Sequence, residues 1–175
     1  MTPPGPRRVL RILRASLLAG LVAVLAACAS PGSIAPGTSA AKVIQTLGAP
    51  TGRYPAPGGG ERLQYSMQPA GQTVHNIDLD AQGRVLRVEQ ALSEALFGQR
   101  IAPDRWTRTE VLREYGRPAR VMGVHSFEGD VWVWRYLDGP TWRLLFIDID
   151  RAGIVRGWSN GDEDLPDLPD PPDVR

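Results

Sequence analysis

The sequence has little of the chemistry on which disulfide-stabilised, metal-binding or nucleic-acid-binding proteins depend. It contains one cysteine and two histidines, and its formal net charge is +1. A single cysteine, Cys28, excludes an intramolecular disulfide, so a packed core must stabilise the fold. A net charge near zero without a concentrated basic face argues against nucleic-acid binding. No carboxylates stand at ligand spacing beside His75 or His125, and we therefore expect no metal site.

No arrangement of catalytic residues is recognisable either. No serine has the Gly-x-Ser-x-Gly surroundings of a nucleophile elbow. The triplet Gly58-Gly59-Gly60 lacks the Lys-Ser/Thr that completes a phosphate-binding loop, so we interpret it as a hairpin loop. Asp148 and Asp150 fall on one face of a predicted strand, but nothing separates them into an acid and a base, and we interpret them as solvated. We expect a protein that is not an enzyme and has no cofactor.

Acidic residues are absent from the first 27 positions, where four arginines precede a run of apolar residues from 15 to 27. A basic start, an apolar run of this length and small residues at its end are typical of a secretory signal peptide, predicted here as residues 1–27. The run is shorter than the roughly 20 residues needed for a permanent transmembrane helix. Cleavage after Ala27 by an ordinary signal peptidase would leave a free thiol at Cys28.

The four residues Leu25-Ala26-Ala27-Cys28 resemble the bacterial lipobox. That resemblance implies diacylglycerol on the Cys28 sulfur, cleavage before this residue, and acylation of the new amino group by a fatty acid such as palmitate. Several acyl chains hold a protein on a membrane essentially permanently. Ala29 rather than aspartate at the next position implies transport to the outer membrane, on its periplasmic side. Residues 28–36 are rich in proline, glycine and serine and are interpreted as a flexible tether.

The rest of the chain contains two segments that align with each other. Residues 39–50 align with residues 107–118 at an offset of 68 positions, and residues 80–85 align with 150–155 at an offset of 70. Helix ends and turns at matched spacing indicate two copies of one unit. We predict a first unit at 37–92, a connector at 93–106 and a second unit at 107–160.

Each unit is predicted to be a helix followed by a three-stranded antiparallel meander, which makes the fold class α+β. Thr107 and Glu110 form a capping-box pattern at the start of the second helix. Gly48 and Gly116 stand where a left-handed residue ends a helix, and a proline follows each of them two positions later. Alternating apolar residues and turn signals place the strands at 62–67, 73–80, 84–89, 131–136, 141–150 and 154–158.

The last segment, 161–175, carries six acidic residues against one arginine and is rich in proline. Such a segment cannot bury enough apolar surface to order itself, so we predict a disordered terminus. We favour a solvated tail over a tail that binds a partner.

Both units carry the same glycine, proline and tyrosine motifs. The first contains Pro36-Gly37-Thr-Ser-x-x-x-Val43-x-x-x-Leu47-Gly48-x-Pro50, a central Tyr65 and Asp80-x-x-Gly83-x-Val85, and the second repeats them with Val111, Gly116, Pro118, Tyr136, Asp150, Gly153 and Val155. These motifs resemble the BamE/SmpA-OmlA lipoprotein domain. The tandem arrangement is similar to the β-lactamase-inhibitor-protein fold, in which two such units form one long sheet. The resemblance covers about residues 37–160 and implies a role in outer-membrane assembly or maintenance. BamE itself has one unit, and no site residue carries over from it.

Aromatic residues are concentrated in the strands of the second unit, at Trp132, Trp134, Tyr136, Trp142 and Trp158. One interpretation places them in the core beneath the helix, because large aromatic side chains dominate core burial. The other places them on an exposed sheet face, while aliphatic residues on the opposite side of the strands supply the core. Exposed tryptophan and tyrosine are frequent binding hot spots, and in that case the five residues would form a partner-binding face.

Three functions from different classes are compatible with these features. The leading hypothesis is a lipid-anchored, periplasm-facing envelope lipoprotein that acts as a non-enzymatic protein-interaction module. The alternative is an inhibitor-like module that binds and blocks a periplasmic enzyme, which a tandem-sheet fold permits. An enzyme or small-ligand-binding protein ranks third, because no catalytic constellation is present. The identity of the envelope protein partner does not follow from the sequence.

Overall fold

The computed structural model describes residues 30–164, which form an α+β fold with two four-stranded antiparallel sheets and three α-helices. Cys28, the predicted signal peptide and residues 165–175 of the predicted tail lie outside the described residues. Within 30–164, no helix is both long enough and apolar enough to cross a membrane. Lipidation and export therefore stay predictions.

The first sheet follows helix α1, which spans Ala40–Leu47. The Ser39 side chain accepts a hydrogen bond from the Lys42 amide at 3.3 Å and so satisfies a free amide of the first turn. Gly48 ends the helix with a φ of 83°, a left-handed value that glycine adopts without steric cost. In spatial order the strands are β1 (Gly52–Ala56), β2 (Gly60–Ser66), β3 (Val74–Leu79) and β4 (Val85–Gln90), and 3₁₀ turns lie at Pro31–Ser33 and Pro57–Gly59.

The second half begins with a short helix, α2, at Glu94–Arg100, and helix α3 spans Arg108–Tyr115. The predicted capping box is present at the start of α3. The Thr107 side chain accepts from the Thr109 amide at 3.2 Å, and the Glu110 carboxylate accepts from the Thr107 amide at 2.8 Å. In spatial order the strands are β5 (Arg120–Met122), β6 (Gly129–Asp138), β7 (Thr141–Asp150) and β8 (Val155–Asp162).

The residue before each of the helices α1 and α3 is bonded to the last hairpin of its sheet in the same way. Ser39 forms an antiparallel bridge with Arg84, and Thr107 forms one with Ile154. Both partners follow an Asp-x-x-Gly turn. In each turn the aspartate side chain accepts a hydrogen bond from the amide of that partner, at 2.8 and 2.9 Å. The two halves thus share the attachment of the helix to the sheet.

The structure differs from the predicted architecture in two ways. Each half contains four strands rather than three, because β1 and β5 each add an edge strand. Strand β1 contains Pro55, which has no amide hydrogen and is tolerated at a sheet edge. Strand β5 has only three residues, and all of them are exposed, so it shows no alternation. The strands also lie in two sheets, whereas the β-lactamase-inhibitor-protein fold implies one long sheet.

The folded body extends beyond both predicted borders. Ile34, within the predicted tether 28–36, packs against the core of the first half, and the Gly37 amide donates to the Val85 carbonyl at 2.7 Å. At the other end β8 continues to Asp162, two residues into the predicted tail. Local contacts, which composition does not reveal, place these residues in the folded body.

Helix α2 lies in the segment predicted as a connector, 93–106. Its Phe97 is fully buried and packs edge-on against Tyr115 and Tyr136, with ring centroids 5.9 and 5.2 Å apart. Helix α2 therefore belongs to the core of the second half. A seven-residue helix with one buried side chain offers too little periodicity to be predicted from sequence.

The aromatic stripe of the second sheet is part of the core and not an exposed binding face. Trp134 and Tyr136 have no solvent exposure, and Trp132 and Trp158 are partly buried against the same cluster. Helices α2 and α3 cover this face, and the Trp134 indole nitrogen donates to the Tyr115 carbonyl at 2.9 Å. The predicted partner-binding face is therefore wrong for these residues of the second sheet, and the core interpretation describes them.

Trp142 faces the opposite side of the same sheet. Strands β6 and β7 pair Tyr136 with Arg143 and Leu137 with Trp142, and consecutive residues of a strand point to opposite faces. The guanidinium carbon of Arg135 lies 5.2 Å from the centroid of the Trp142 ring, within cation–π distance. A single face of five aromatic residues does not form, because the hairpin register decides which face each residue of β7 joins.

Candidate functional site

Polar side chains are buried where the two halves meet. They lie on the face of the first sheet opposite to α1, and Arg62, Gln64 and Asn76 are at most 6% exposed. The end of α3 covers this face. The Gln64 amide nitrogen donates to the Arg113 carbonyl at 3.2 Å, and the Asn76 amide nitrogen donates to the Glu114 carbonyl at 2.9 Å. These side chains satisfy carbonyl groups that have no partner within the helix.

Charged side chains form an ion-pair network at the same place. Arg62 of β2 contacts Asp78 of β3 and Glu114 of α3, each at 2.6 Å. Arg100 of α2 bonds Glu89 of β4 at 2.8 Å and also bonds Glu114. The side chains of Arg62 and Glu114 are only 7% and 12% exposed, so loss of either removes one of the two opposite charges that its partner contacts away from water. We call this set of five residues the junction network.

Arginine contacts hold two carboxylates of the junction network in the ionised form. A hydrogen bond from Arg100 lowers the pKa of Glu89, and this effect exceeds the opposing effect of burial. Burial raises the pKa of Asp78, but the hydrogen bonds and charges of Arg62 and Arg87 together outweigh burial and bring the pKa below its ordinary value. Neither carboxylate is suited to exchange a proton near neutral pH.

We expect the free energy of unfolding to decrease when the pH falls below the ordinary carboxylate pKa values of 3.8 and 4.5. Because Asp78 and Glu89 have lower pKa values in the folded protein, the unfolded chain binds protons first as the pH falls. Their contribution is fully present above the ordinary values and is lost as the pH passes through the folded-state values. Urea unfolding across this range measures the decrease, which we expect to be shallower in Glu89→Gln. Equal decreases in both proteins would exclude a contribution from Glu89.

The two histidines lie apart from the junction network. His75 is half-buried on β3, where burial lowers its pKa, and His125 is exposed in the loop before β6. Beside His125 is an open groove of about 560 Å³, in which Arg151 pairs with Glu128 at 3.3 Å. Among residues 30–164, no three His, Cys, Asp or Glu side chains are close enough to hold one metal ion.

Two open pockets lie along the line where the two halves meet. The first has a volume of about 630 Å³ and lies between β1, β2 and the end of α3. The second has a volume of about 240 Å³ and lies between the β2–β3 hairpin and the second sheet. Gln68 lines the first and Pro69, the next residue in the chain, lines the second, and together we call the two pockets the seam groove. The first pocket includes Thr51, Tyr54, Gln68, Leu112 and Arg117, and the second includes Pro69, Arg120, Val133, Leu144 and Glu163.

Gln68 anchors the first half on the second sheet. Its amide nitrogen donates to the Arg135 carbonyl at 2.7 Å, and its amide oxygen accepts from the Arg135 amide at 3.3 Å. This double contact continues the hydrogen bonding of β6 past Val133, where its pairing with β5 ends. The Arg135 guanidinium donates to the Pro69 carbonyl at 3.3 Å and pairs with Glu163 at 2.7 Å. The seam groove therefore has walls that are bonded to each other across the two halves.

Two arginines of the seam groove carry positive charge without a carboxylate partner. Arg117 and Arg120 make no side-chain hydrogen bond or ion pair with any residue from 30 to 164. Both are exposed walls of the groove, whereas Arg113, on the last turn of α3, lines a different pocket beside Asp78 and helps to lower the pKa of Glu110. Burial raises the pKa of the Tyr54 hydroxyl in the groove, and the charge of Arg117 partly offsets this rise. Sequence reasoning did not identify these two arginines, because only the structure shows which arginines are paired.

Comparisons with known proteins provide no family for this chain. No protein-family model matches it, and no curated protein matches it. A crystal structure of a DUF4309 family protein, YjgB from Bacillus subtilis, is similar at 15% sequence identity, over 72% of this chain and 79% of that chain, with a TM-score of 0.28. A similarity of this extent carries no argument about fold or function.

Proposed function

We propose that this chain is a lipid-anchored lipoprotein on the periplasmic side of the outer membrane, where it acts as a non-enzymatic protein-interaction module. The sequence Leu25-Ala26-Ala27-Cys28 supports the anchor, because it directly follows an apolar run of signal-peptide length. Acyl chains on Cys28 would hold the folded body beside the membrane.

The seam groove is the observation that carries the interaction role. Exposed arginines without carboxylate partners favour a ligand that supplies negative charge, and arginine is enriched in protein interfaces. The half-buried Leu112 adds apolar surface next to Arg117, and Leu144, which is 8% exposed, adds a smaller apolar contribution next to Arg120. Two open pockets of this composition along one junction fit an extended segment that contains both acidic and apolar residues. We infer such a segment of an envelope protein as the ligand.

The correspondence between the halves supports a tandem of two BamE-like units. Each half has a helix followed by four antiparallel strands, and in each half the residue before the helix is bridged to the last hairpin. The tandem creates a surface that one unit lacks, because the seam groove takes its walls from both halves. A role in outer-membrane assembly or maintenance would then use this added surface.

Photo-crosslinking in living cells tests the interaction role. We expect a crosslinking residue in place of Ala70, beside the seam groove, to capture a specific envelope protein. The same residue in place of Gln82, an exposed turn position at the opposite end of β3, should not capture it. Arg117→Glu should reduce the adduct several-fold, because it reverses a charge of the groove. Identical adducts from both positions would contradict the proposal. Barrel-assembly components among the adducts would support the BamE-like role, whereas a single hydrolase would favour the inhibitor-like alternative.

The same envelope preparation tests the anchor. We expect the amino-terminal peptide of the mature chain to carry acyl groups on Cys28 by mass spectrometry, and Cys28→Ser to release the chain from the membrane fraction. A cleaved chain with a free thiol at residue 28 would contradict the anchor and indicate ordinary signal-peptidase cleavage.

A further inference from the structure

The acidic tail has a three-residue period that matches the chemistry of the seam groove. Aspartate recurs at positions 164, 167, 170 and 173, and proline recurs at 166, 169 and 172. A proline-rich segment of this kind favours the polyproline II conformation, which has three residues per turn and a rise of about 3.1 Å per residue. Residues three positions apart then lie on one edge, so the aspartates would form an acidic edge and Leu165 and Leu168 an apolar one.

The described chain ends beside the seam groove. The Glu163 amide donates to the Trp142 carbonyl at 2.9 Å, and the Glu163 side chain pairs with Arg135 and forms part of the groove wall. The residues that follow therefore start next to Arg120 and Leu144. The tail can enter the groove without first crossing another part of the surface.

We propose that residues 165–173 of this chain dock in the seam groove and occupy it when no partner is bound. The aspartates would face Arg120 and Arg117 in turn, and the leucines would cover the apolar wall at Leu144. Arg117 and Arg120 are three residues apart and so no more than about 11 Å from each other. Nine residues of polyproline II span about 28 Å, which is long enough to pass both arginines.

Covalent attachment allows weak contacts to hold the tail in place. Each exposed ion pair contributes little, but a segment joined directly to the groove wall has a high effective concentration there. The tail would therefore compete with an acidic segment of a partner for the groove. Only a partner with a higher affinity for the groove would then displace the tail. This inference rests on the proposed use of the groove, and it assigns the groove a regulator within the same chain.

Crosslinking within the purified full-length chain tests the docking. A photo-crosslinking residue in place of Leu168 is expected to react mainly with residues 51–70 and 112–120 of the same molecule, mapped by mass spectrometry. The double variant Arg117→Glu, Arg120→Glu should lower the yield about fivefold or more, because exposed ion pairs contribute up to about 1 kcal/mol each. The control Arg105→Glu reverses the charge of another exposed arginine, which lies outside the groove and has no side-chain partner in 30–164. It should leave the yield unchanged.

Charge exchange keeps the test independent of any effect on folding. Asp167→Arg with Asp170→Arg, added to the reversed groove, should restore the yield of the crosslink. Crosslinks spread over the surface of the protein, or a crosslinking yield that does not change when the groove charges are reversed, would overturn the proposal. A yield that rises with protein concentration and gives a product of dimer mass would also overturn it, because the occupant would then be a second copy. The purified chain holds no envelope partner, so failure here leaves the proposed function standing, and failure of crosslinking at Ala70 in cells leaves the tail docking standing.

Discussion

Replacing Trp134 with alanine is expected to lower the free energy of unfolding by about 3–5 kcal/mol. The Trp134 side chain has no solvent exposure, and its ring centroid lies 5.8 Å from that of Tyr115. Its indole nitrogen also donates to the Tyr115 carbonyl at the end of α3. Alanine would leave a cavity beneath the helix and would remove the partner of a buried carbonyl. Chemical denaturation followed by far-UV circular dichroism measures the loss.

Trp142→Ala is the matched control, because Trp142 lies half-buried on the opposite face of the same sheet. Its contact with the Arg135 guanidinium is a cation–π interaction, and we expect a loss of about 1 kcal/mol. Suppose instead that Trp134→Ala retained the stability of the parent and abolished the crosslinks in cells. The aromatic stripe would then be a binding face, and its assignment to the core would be wrong.

Helices α1 and α3 and six of the eight strands could be predicted from sequence because their signals are local. Thr107 and Glu110 cap α3 through hydrogen bonds between residues at most three positions apart. Gly48 and Gly116 end the two helices with φ values of 83° and 69°, which glycine adopts freely. A signal of this kind depends only on neighbouring residues, so it predicts the helix without knowledge of the tertiary structure.

Which face of the second sheet forms the main core could not be predicted, because both faces are apolar and buried. Val133 is fully buried and Val131 is 6% exposed, although they lie opposite to the aromatic stripe. Phe127 and Phe146 cover the valines on that side. The alternation of side chains along β6 is therefore equally compatible with a core on the aromatic face and a core on the valine face. Helix α2, through the buried Phe97, helps to cover the aromatic stripe, and the sequence carries no periodic signal for that helix.

The junction network and the seam groove depend on pairings between residues far apart in the chain. Glu114 follows Arg113 directly, yet it bonds Arg62 and Arg100, which are 52 and 14 positions away. The unpaired state of Arg117 and Arg120 is known only after the other arginines have been assigned to carboxylates. Sequence periodicity does not predict which arginine pairs with which carboxylate, since charged residues at a helix end are ordinarily solvated.

Replacing Glu114 with alanine is expected to lower the free energy of unfolding by about 3 kcal/mol, near the lower limit for removing one member of a buried ion pair. Arg62 would stay buried with Asp78 as its remaining carboxylate, and Arg100 would keep Glu89. These remaining contacts place the loss near the lower limit. Urea unfolding at neutral pH measures it, with Glu61→Ala as the control, because Glu61 pairs with Arg53 at 3.2 Å on the surface. We expect the control to lose less than about 1 kcal/mol.

A second variant separates the lost counter-charge from the lost volume. Adding Arg62→Met to Glu114→Ala removes the buried guanidinium that Glu114 contacted and leaves an apolar side chain of similar length, while Asp78 keeps its ion pair with Arg87 at 2.8 Å. If the buried charge causes most of the loss, the double variant should be more stable than Glu114→Ala alone, because uncharged substitutes for buried ion pairs are often neutral or stabilising. A double variant that is less stable by the full sum of both single losses would contradict this. Arg62 and Glu114 would then contribute independently, and the junction network would not couple the first sheet to α3.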